Sequence, residues 1–500
     1  MSSRLEDIEQ QRLDSLGRVR TLGIEPYPSS FHTSHSIEDA IAFFNQTVDE
    51  LQAISLAGRV IAKRSMGKMA FMDIRDGSGK IQLCFRCGTL EDEKYNFINE
   101  IDIGDILGAE GTLFRTKRGE LTLQVSDFFM LCKSLRPLPE KWHGLVNVEK
   151  RYRQRYLDLI SNESVRTLFI KRSQIIAAMR DFLNGRGFME VETPMLQSQA
   201  GGAVACPFIT HHNSLNTDLY LRIALELYLK RLIIGGFDRV YEIGRVFRNE
   251  GISVRHNPEF TLLECYQAYA DYNDVMRLLE DMVSQIAIKV FGVTSVNISD
   301  KIIELSPPWQ RINLRDAIKE YCNIDYHEFP DTISLRLRME QMGIEVDPAK
   351  GRGQLIDELI SSFVEPHLIQ PTFLIDYPVD MSPLAKRKQD SDQVVDRFEA
   401  FINGMEVANA FTELNDPIDQ RQRFTNQASE QGLNGELSVI DEDFLCALEY
   451  GMPPTGGLGV GIDRLVMLLT GQTSIREVIL FPQLKNKLSL SAKQDEAQDA

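Results

Sequence analysis

Five hundred residues leave room for two or three domains with sizeable cores, and the apolar and charged fractions, 43% and 25%, are those of a soluble globular protein. A formal net charge of −17 argues against indiscriminate nucleic-acid binding, although it leaves local basic surfaces open. No apolar run is long enough to span a bilayer, and the seven scattered cysteines, an odd number, suit a reducing compartment.

Residues 1–50 read as an N-terminal helical segment. Met1 to Arg20 is charged and helix-like and lacks the apolar stretch of a signal peptide, so a cytoplasmic protein is expected. Residues 51–145 read as a β-domain with strands at Ser55–Ala62, Ala70–Asp76, Lys80–Phe85, Ile106–Phe114 and Leu121–Leu131. Asp76-Gly-Ser-Gly79 is a tight hairpin signal. Five short strands suggest a small Greek-key barrel such as an OB-fold, a common platform for single-stranded nucleic acid. Cys84-Phe-Arg-Cys87 has metal-like spacing, but positions i and i+3 of a strand face opposite ways, so it reads as two unrelated thiols. Arg59, Lys63, Arg64 and Lys68 form one basic cluster and Lys150, Arg151, Arg153 and Arg155 another; each is a binding face or merely a solvated one. Pro137-Leu-Pro139 marks a linker.

A second domain is expected over residues 146–488. Val165, Leu168, Phe169, Ile175, Ile176, Met179, Phe182 and Leu183 recur at helical spacing, and Gly185 and Gly187 end the helix. A strand, Phe188 to Val191, and Glu192-Thr-Pro194 follow. Phe247-Arg-Asn-Glu-Gly251 and Arg255-His-Asn-Pro-Glu-Phe-Thr261 read as parts of two strands with a Gly- and Asn-containing turn between them. Glu242, Gly244, Val246, Arg248 and Glu250 share one face of the first, and Phe260, Leu262, Glu264 and Tyr266 share one face of the second. Tyr241, Ile243 and Phe247, with Thr261, Leu263 and Cys265, form an apolar reverse side. An arginine, several carboxylates, an aromatic ring and a phenol on one face suit a concave site for a charged ligand. Residues 274–375 are largely helical in pattern and read as an insertion.

Asn403-Gly404 is a strong two-residue turn. Pairing across it sets Phe401 opposite Glu406, making Glu399 and Glu406 diagonal neighbours on one face. Two such carboxylates repel unless a cation joins them, and carboxylate oxygens beside phosphates suit Mg²⁺. Asn409, Phe411 and Glu413 share parity with each other but not with Glu406, so a bulge or bend between 406 and 409 is needed if all face one site. Gly456-Gly-Leu-Gly-Val-Gly461-Ile-Asp-Arg464 leads into an apolar helix, and Arg464 near its start is a charge-assisted donor for phosphate. The tail, 489–500, is polar.

Three of these segments resemble the motifs of the class II aminoacyl-tRNA synthetases, in the right order: the helix–strand–proline unit motif 1, the 241–266 hairpin motif 2 and the glycine-rich segment leading into a helix motif 3. The resemblance implies an α+β fold, an N-terminal OB-fold followed by a catalytic antiparallel sheet flanked by helices, in a homodimer joined through motif 1. From about residue 15 to Leu484 the chain is similar to the bacterial-type lysyl-tRNA synthetases, through Arg151-Tyr-Arg-Gln-Arg-Tyr-Leu-Asp-Leu159, Phe208-Ile-Thr-His-His-Asn213, Arg248-Asn-Glu-Gly-Ile-Ser-Val-Arg-His256 and Glu413-Leu-Asn-Asp-Pro-Ile-Asp-Gln420. It implies ligation of L-lysine to tRNA(Lys) through lysyl-adenylate, with ATP as substrate and Mg²⁺ as cofactor. Arg248 and Arg464 would be catalytic. ATP would meet Arg248, Glu250, His256, Asn257, Phe260 and Arg464, and the metal Glu399 and Glu406. Lysine would meet Gly202, Glu226, Arg248, Tyr266, Asn409, Phe411 and Glu413, the last with Tyr266 receiving the ε-ammonium. Arg64, Phe71 and Gln82 would read the anticodon. Cys206, Leu225 and Gly244 depart from the family pattern, where arginine, proline and asparagine are usual. An aspartyl- or asparaginyl-type synthetase, a ligase that lysylates a protein and a non-catalytic tRNA-binding module are the alternatives. Glu226 and Glu413 argue against an anionic amino acid, the β-domain against a protein acceptor, and intact Arg248, Glu250 and Arg464 against a non-catalytic module.

Overall fold

A computed structural model describes residues 2–46, 53–139, 145–199, 201–203, 205–298, 300–433 and 440–485, so the polar tail lies outside the described residues. The chain divides into two compact units, Met1–Val146 and Asn147–Ala500.

In the first unit, helices α1 (Ser2–Thr21) and α2 (Ile37–Gln46) precede five strands and a short helix: β1 (Ile54–Met66), β2 (Met69–Arg75), β3 (Lys80–Arg86), α3 (Asp92–Phe97), β4 (Ile106–Arg115) and β5 (Leu121–Cys132). The strands close a barrel in the order β1-β2-β3-β5-β4. Alternation explains the closure: Ala70, Met72 and Ile74 of β2 point into the core, and Phe71, Asp73 and Arg75 point away. The Asp76 carboxylate accepts the N–H groups of Ser78 and Gly79 and so fixes the β2–β3 turn.

The second unit starts with α4 (Val148–Arg153), α5 (Arg155–Ser161) and the long α6 (Glu163–Gly185). The second basic cluster divides: Lys150 and Arg153 are exposed, and Arg151 and Arg155 are used inside this region. Arg155 is fully buried, pairs with Asp158 and donates to the carbonyls of Arg476, Ile479 and Leu480. Arg151 joins Asp158 to Glu477. Next come β6 (Met189–Glu190), a small sheet of β7 (Leu196–Gln197), β8 (Ile209–His212) and β9 (Thr217–Leu221), then α7 (Glu226–Ile234), β10 (Arg239–Phe247), β11 (Glu259–Ala268) and α8 (Tyr272–Phe291). Residues 295–378 hold a hairpin, β12 (Ser295–Ile298) and β13 (Lys301–Glu304), then β14 (Gln310–Asn313), helices α9 (Leu314–Cys322), α10 (Thr332–Gln341) and α11 (Arg352–Leu359), and β15 (Thr372–Pro378). The last elements are β16 (Val394–Phe401), β17 (Glu406–Thr412), α12 (Pro417–Leu433), α13 (Glu442–Glu449), β18 (Thr455–Gly461), α14 (Ile462–Leu469) and α15 (Ile475–Val478).

One eight-stranded sheet, in the order β14-β15-β16-β17-β18-β11-β10-β6, organises this unit. Its interior pairings are antiparallel, and only the two outermost, β14–β15 and β10–β6, are parallel. One face packs on α6, α8 and α14 through Ile175, Met179, Leu279, Met282, Leu465 and Val466. The expected helical insertion over 274–375 is therefore corrected in two ways. Helix α8 belongs to the main core, and β14 and β15 are strands of the main sheet. Only the 314–364 stretch between them is helical, over its own apolar cluster that includes Leu335, Leu355 and Leu359.

Candidate active site

A cavity of about 1280 Å³ opens on the other face of the sheet, lined by β11, β17 and β18, the start of α7 and the first turn of α14. The 241–266 hairpin pairs as its alternation demands: Glu242 opposite Glu264, Gly244 opposite Leu262 and Val246 opposite Phe260. The apolar reverse side carries Tyr241, Leu263 and Cys265 into the core. The polar side lines the cavity through Arg248, Phe260, Glu264 and Tyr266.

At one end lie three buried carboxylates, Glu226, Glu264 and Glu413. Glu226 begins α7, and Lys230, one turn on and fully buried, is ion-paired with both Glu226 and Glu413. Burial works against the Lys230 ammonium, but Glu226 and Glu413 outweigh it and raise the lysine above its ordinary range. Glu413 is held well above the usual carboxylate range by burial, with Lys230 opposing and Glu226 adding to the shift. Its Oε1 has no hydrogen-bond partner among the described residues. That oxygen lies against Gly457, where a β-carbon would collide with it and with the Tyr266 ring, so only glycine fits there. Glu264 accepts the Leu225 N–H at 3.0 Å and the Tyr266 hydroxyl at 2.9 Å. Burial, reinforced by Glu226, pushes it up to about 7. Gly202, at φ +86°, reaches this wall, where a β-carbon would press on Ala224 and Glu226.

Arg248 sits between the two ends. Its Nε donates to the Ile223 carbonyl at 3.3 Å, and its guanidinium lies 5.3 Å from the Phe260 ring centre. Asn409 and Phe411 line the cavity from β17. The Asn409 carbonyl oxygen accepts from Arg397 at 3.0 Å, which fixes the amide.

The other end carries Glu250, His256, Glu399, Glu406 and Arg464. The turn at Asn403 (φ 52°) and Gly404 (φ 67°) has both residues left-handed, the geometry of a type I′ hairpin. Phe401 pairs with Glu406 and Ala400 with Ala408, so Val407 is the extra residue. This bulge answers the parity mismatch, and it lets Glu406, Asn409, Phe411 and Glu413 line one cavity. Glu399 accepts from Arg397 at 2.6 Å and from the Tyr377 hydroxyl at 2.8 Å. Arg464, in the first turn of α14, donates to both the carbonyl and the carboxylate of Glu406. His256 faces Arg464 at 3.5 Å, and burial together with that guanidinium lowers its pKa. Asn257 also lines the cavity, but its side chain is engaged with the backbone, donating to the Glu259 carbonyl and accepting from Gln483.

Sequence reasoning assigned no role to Lys230, Arg397, Glu264, Asp357 or Glu365. Glu264 was legible, since it shares parity with Tyr266 and Arg248. A lysine four residues after a glutamate reads as a surface pair, and nothing in the sequence marks Lys230 as buried. Of the three departures from the family pattern, Leu225 supplies the backbone N–H held by Glu264, which a proline lacks. Gly244 leaves room for the Arg222 guanidinium, which pairs with Glu242 beneath the cavity face. Cys206 is exposed at the cavity mouth and accepts the Asn249 N–H through its carbonyl.

On the barrel, Arg64 pairs opposite Phe71 across β1 and β2, and Gln82 pairs opposite Asp73 across β2 and β3. Arg64 is exposed, whereas Gln82 is buried and accepts the Thr122 hydroxyl.

Residues 147–485 match the family described as tRNA synthetases class II (D, K and N), and residues 54–131 match the OB-fold nucleic acid binding domain. Curated relatives named lysine–tRNA ligase align along nearly the whole chain. The protein of Dehalococcoides mccartyi is 55% identical over 96% of this chain and 98% of its own. That of Moorella thermoacetica is 53% identical over 96% and 98%, and that of Roseiflexus castenholzii 53% over 96% and 99%. This chain belongs to the lysine–tRNA ligase family of class II tRNA synthetases. The synthetase thus carries an OB-fold followed by the class II catalytic fold, in an α+β architecture. Among its described residues no helix is long and apolar enough to cross a membrane.

Proposed function

We propose that this synthetase activates L-lysine with ATP to lysyl-adenylate and pyrophosphate and then transfers lysine to the 3′ end of tRNA(Lys). One observation carries the choice of amino acid: Glu413 is buried at the inner end of the cavity, and its Oε1 has no partner among the described residues. A buried, under-neutralised carboxylate wall accepts an ammonium and rejects an anionic or neutral side chain, because either leaves the wall uncompensated. The aspartyl- and asparaginyl-type alternatives are disfavoured on this ground.

Arg248 is the residue proposed to hold the substrate carboxylate and the α-phosphate together, with its guanidinium braced by the Ile223 carbonyl and Phe260. Glu226 with Gly202 would take the α-ammonium, Asn409 and Phe411 would orient the amino acid, and Tyr266 and Glu413 would face the ε-ammonium. Glu250, His256, Phe260 and Arg464 would hold ATP. Asn257 would act indirectly, because its side chain is committed to the backbone. The lysine carboxylate attacks the α-phosphorus, and the protein contributes positioning and charge stabilisation rather than proton transfer.

Glu399 and Glu406 fit a magnesium ion that arrives with ATP. Both are hard oxygen donors, and burial, with Glu406 adding to it against Arg397, pushes Glu399 up to about 7. Glu365 is pushed up to about 7 by burial and Glu406, and Asp357 is raised by the same two causes. This end therefore carries more negative charge than its arginines balance. A bound divalent cation would supply charge neutralisation between these carboxylates and the triphosphate.

Arg64, Phe71 and Gln82 are proposed to read the anticodon, with an aromatic ring for stacking beside donors for base edges. A homodimer is supported by exposed apolar side chains on the edge strand β6, Met189, and on the small three-stranded sheet and the residue before it, Met195, Leu196 and Ile209. A cytoplasmic setting is supported by seven free cysteines. Pyrophosphate exchange with each of the twenty amino acids tests the central assignment. Only lysine should drive exchange, and equal exchange with aspartate or asparagine would overturn it.

A further inference from the structure

Lys230 is an ammonium that the protein itself supplies to the carboxylate wall. It is fully buried and touches Glu226 one turn back on α7 and Glu413 just beyond the end of β17. Its Nζ also lies 5.4 Å from the ring of Phe411 and 5.8 Å from that of Phe444, so aromatic faces close the remaining sides. The two oxygens of Glu413 are consequently unlike: Oε2 is ion-paired with Lys230, and Oε1, which has neither ion pair nor hydrogen-bond partner among the described residues, lies against Gly457 on the cavity wall.

Charge arithmetic gives this asymmetry a purpose. Glu226, Glu264 and Glu413 face one another at the inner end, Lys230 is the cation they share, and Arg248 stands further out. Tyr266, bonded to Glu264, is raised by burial and the same carboxylates and stays a neutral phenol. When all three carboxylates are ionised, as pairing with an arriving ammonium favours, they and the two cations sum to −1, which a lysine zwitterion of net charge +1 cancels. Without Lys230, three carboxylates would share a buried pocket, and protons would bind in place of substrate.

We propose that Lys230 is a positioning residue for amino-acid specificity: it holds Oε2 of Glu413, so that Oε1 is turned to the ε-ammonium of the substrate. The proposal rests on the assignment of the cavity to lysine. Wild-type exchange tests that assignment by itself: if lysine drives no exchange, the assignment fails before Lys230 is considered.

The test compares lysine with 6-hydroxynorleucine, which replaces the ε-ammonium by a neutral hydroxyl. The full-length synthetase and its Lys230→Met and Lys230→Gln variants are assayed by pyrophosphate exchange. In the variants the lysine KM should rise while the ATP KM stays near wild type. Preference for lysine over 6-hydroxynorleucine should fall by about 100-fold, because a protonated Glu413 can donate to a hydroxyl but cannot pair with an ammonium. A merely structural role would weaken both substrates and ATP together and leave the preference unchanged. That result, or tighter lysine binding in the variants, overturns the proposal. Should both variants fail to bind ATP or to melt cooperatively, Glu413→Gln in the otherwise wild-type chain decides. It imposes the neutral side chain that loss of Lys230 is inferred to produce, so it should lower the same preference, and an unchanged preference there overturns the proposal.

Discussion

The two ends of the cavity solve opposite problems. The inner end, Glu226, Glu264 and Glu413 around Lys230, is buried and holds a carboxylate oxygen with no partner among the described residues. The outer end, Glu399, Glu406 and Arg464, is more open, and its charges are paired with one another or with Arg397. A buried charge without a partner is costly, by several kcal/mol, so the inner end favours one kind of guest strongly. At the outer end Glu399 is largely buried against Arg397, but the Glu406–Arg464 pair is part-exposed; such a pair is worth at most about 1 kcal/mol, so it can be given up to a nucleotide and its cation cheaply. Selectivity thus sits where water cannot screen it, and exchangeable charge sits where water can.

The largest effect expected from this contrast is at the outer end. Changing both Glu399 and Glu406 to Gln should lower pyrophosphate exchange by at least ~1000-fold, since a metal-bridged phosphate contributes several kcal/mol of charge stabilisation. The fold should survive, because the type I′ turn, the bulge and the apolar face of the sheet are untouched. If exchange stays above about a tenth of wild type, ~1.4 kcal/mol of barrier, the two carboxylates are a solvated pair and the contrast collapses.

At the inner end, Glu413→Gln should lower kcat/KM for lysine by at least ~100-fold, because breaking a buried ion pair costs roughly 3–5 kcal/mol. The ATP KM should barely move. Parallel losses for lysine and ATP would mean that Glu413 supports the whole cavity instead of one end of it.

How far the sequence foresaw this arrangement varies with the kind of signal. The 241–266 hairpin was legible because strand alternation has a period of two, so the register follows once the polar face is identified. The turn at Asn403-Gly404 was legible because few residue pairs accept two left-handed backbones in succession. A bulge or bend was demanded by parity but could not be placed, since Val407 and Ala408 are both buried and both ordinary strand residues. Strands β14 and β15 were missed because they lie far apart in the chain and the three helices between them dominate the periodicity. Lys230 was missed because i,i+4 spacing from a glutamate describes a surface pair as well as a buried one, and only tertiary packing decides.

The barrel offers a control that neither end of the cavity should register. Phe71→Ala should leave pyrophosphate exchange near wild type and slow aminoacylation of tRNA by ~10-fold or more, as loss of one base stack costs ~1–3 kcal/mol. A large fall in exchange would show that the barrel position also supports the cavity.

The smallest effect should expose how finely the inner end is tuned. Glu264 is pushed up to about 7 by burial first and Glu226 second, while the Leu225 N–H and the Tyr266 hydroxyl pull it down. An ammonium pairs with the ionised form, so lysine affinity should rise with pH through about 7 and level off above it. The stability of the ligand-free synthetase should move the other way. Between a carboxylate's ordinary range and about 7, Glu264 binds more proton folded than unfolded, so its contribution to folding is lost as pH rises across that window. Leu225→Pro removes one donor to the charged form and should raise Glu264 further, moving the acid limb of kcat/KM for lysine up by about one unit. At pH 6 that is about a tenfold loss, and at pH 9 almost none. Leu225→Ala also loses core packing but retains the N–H, so its profile should fall, if at all, by the same factor at every pH. Identical profiles for the two variants would mean that the Leu225 N–H does not tune Glu264.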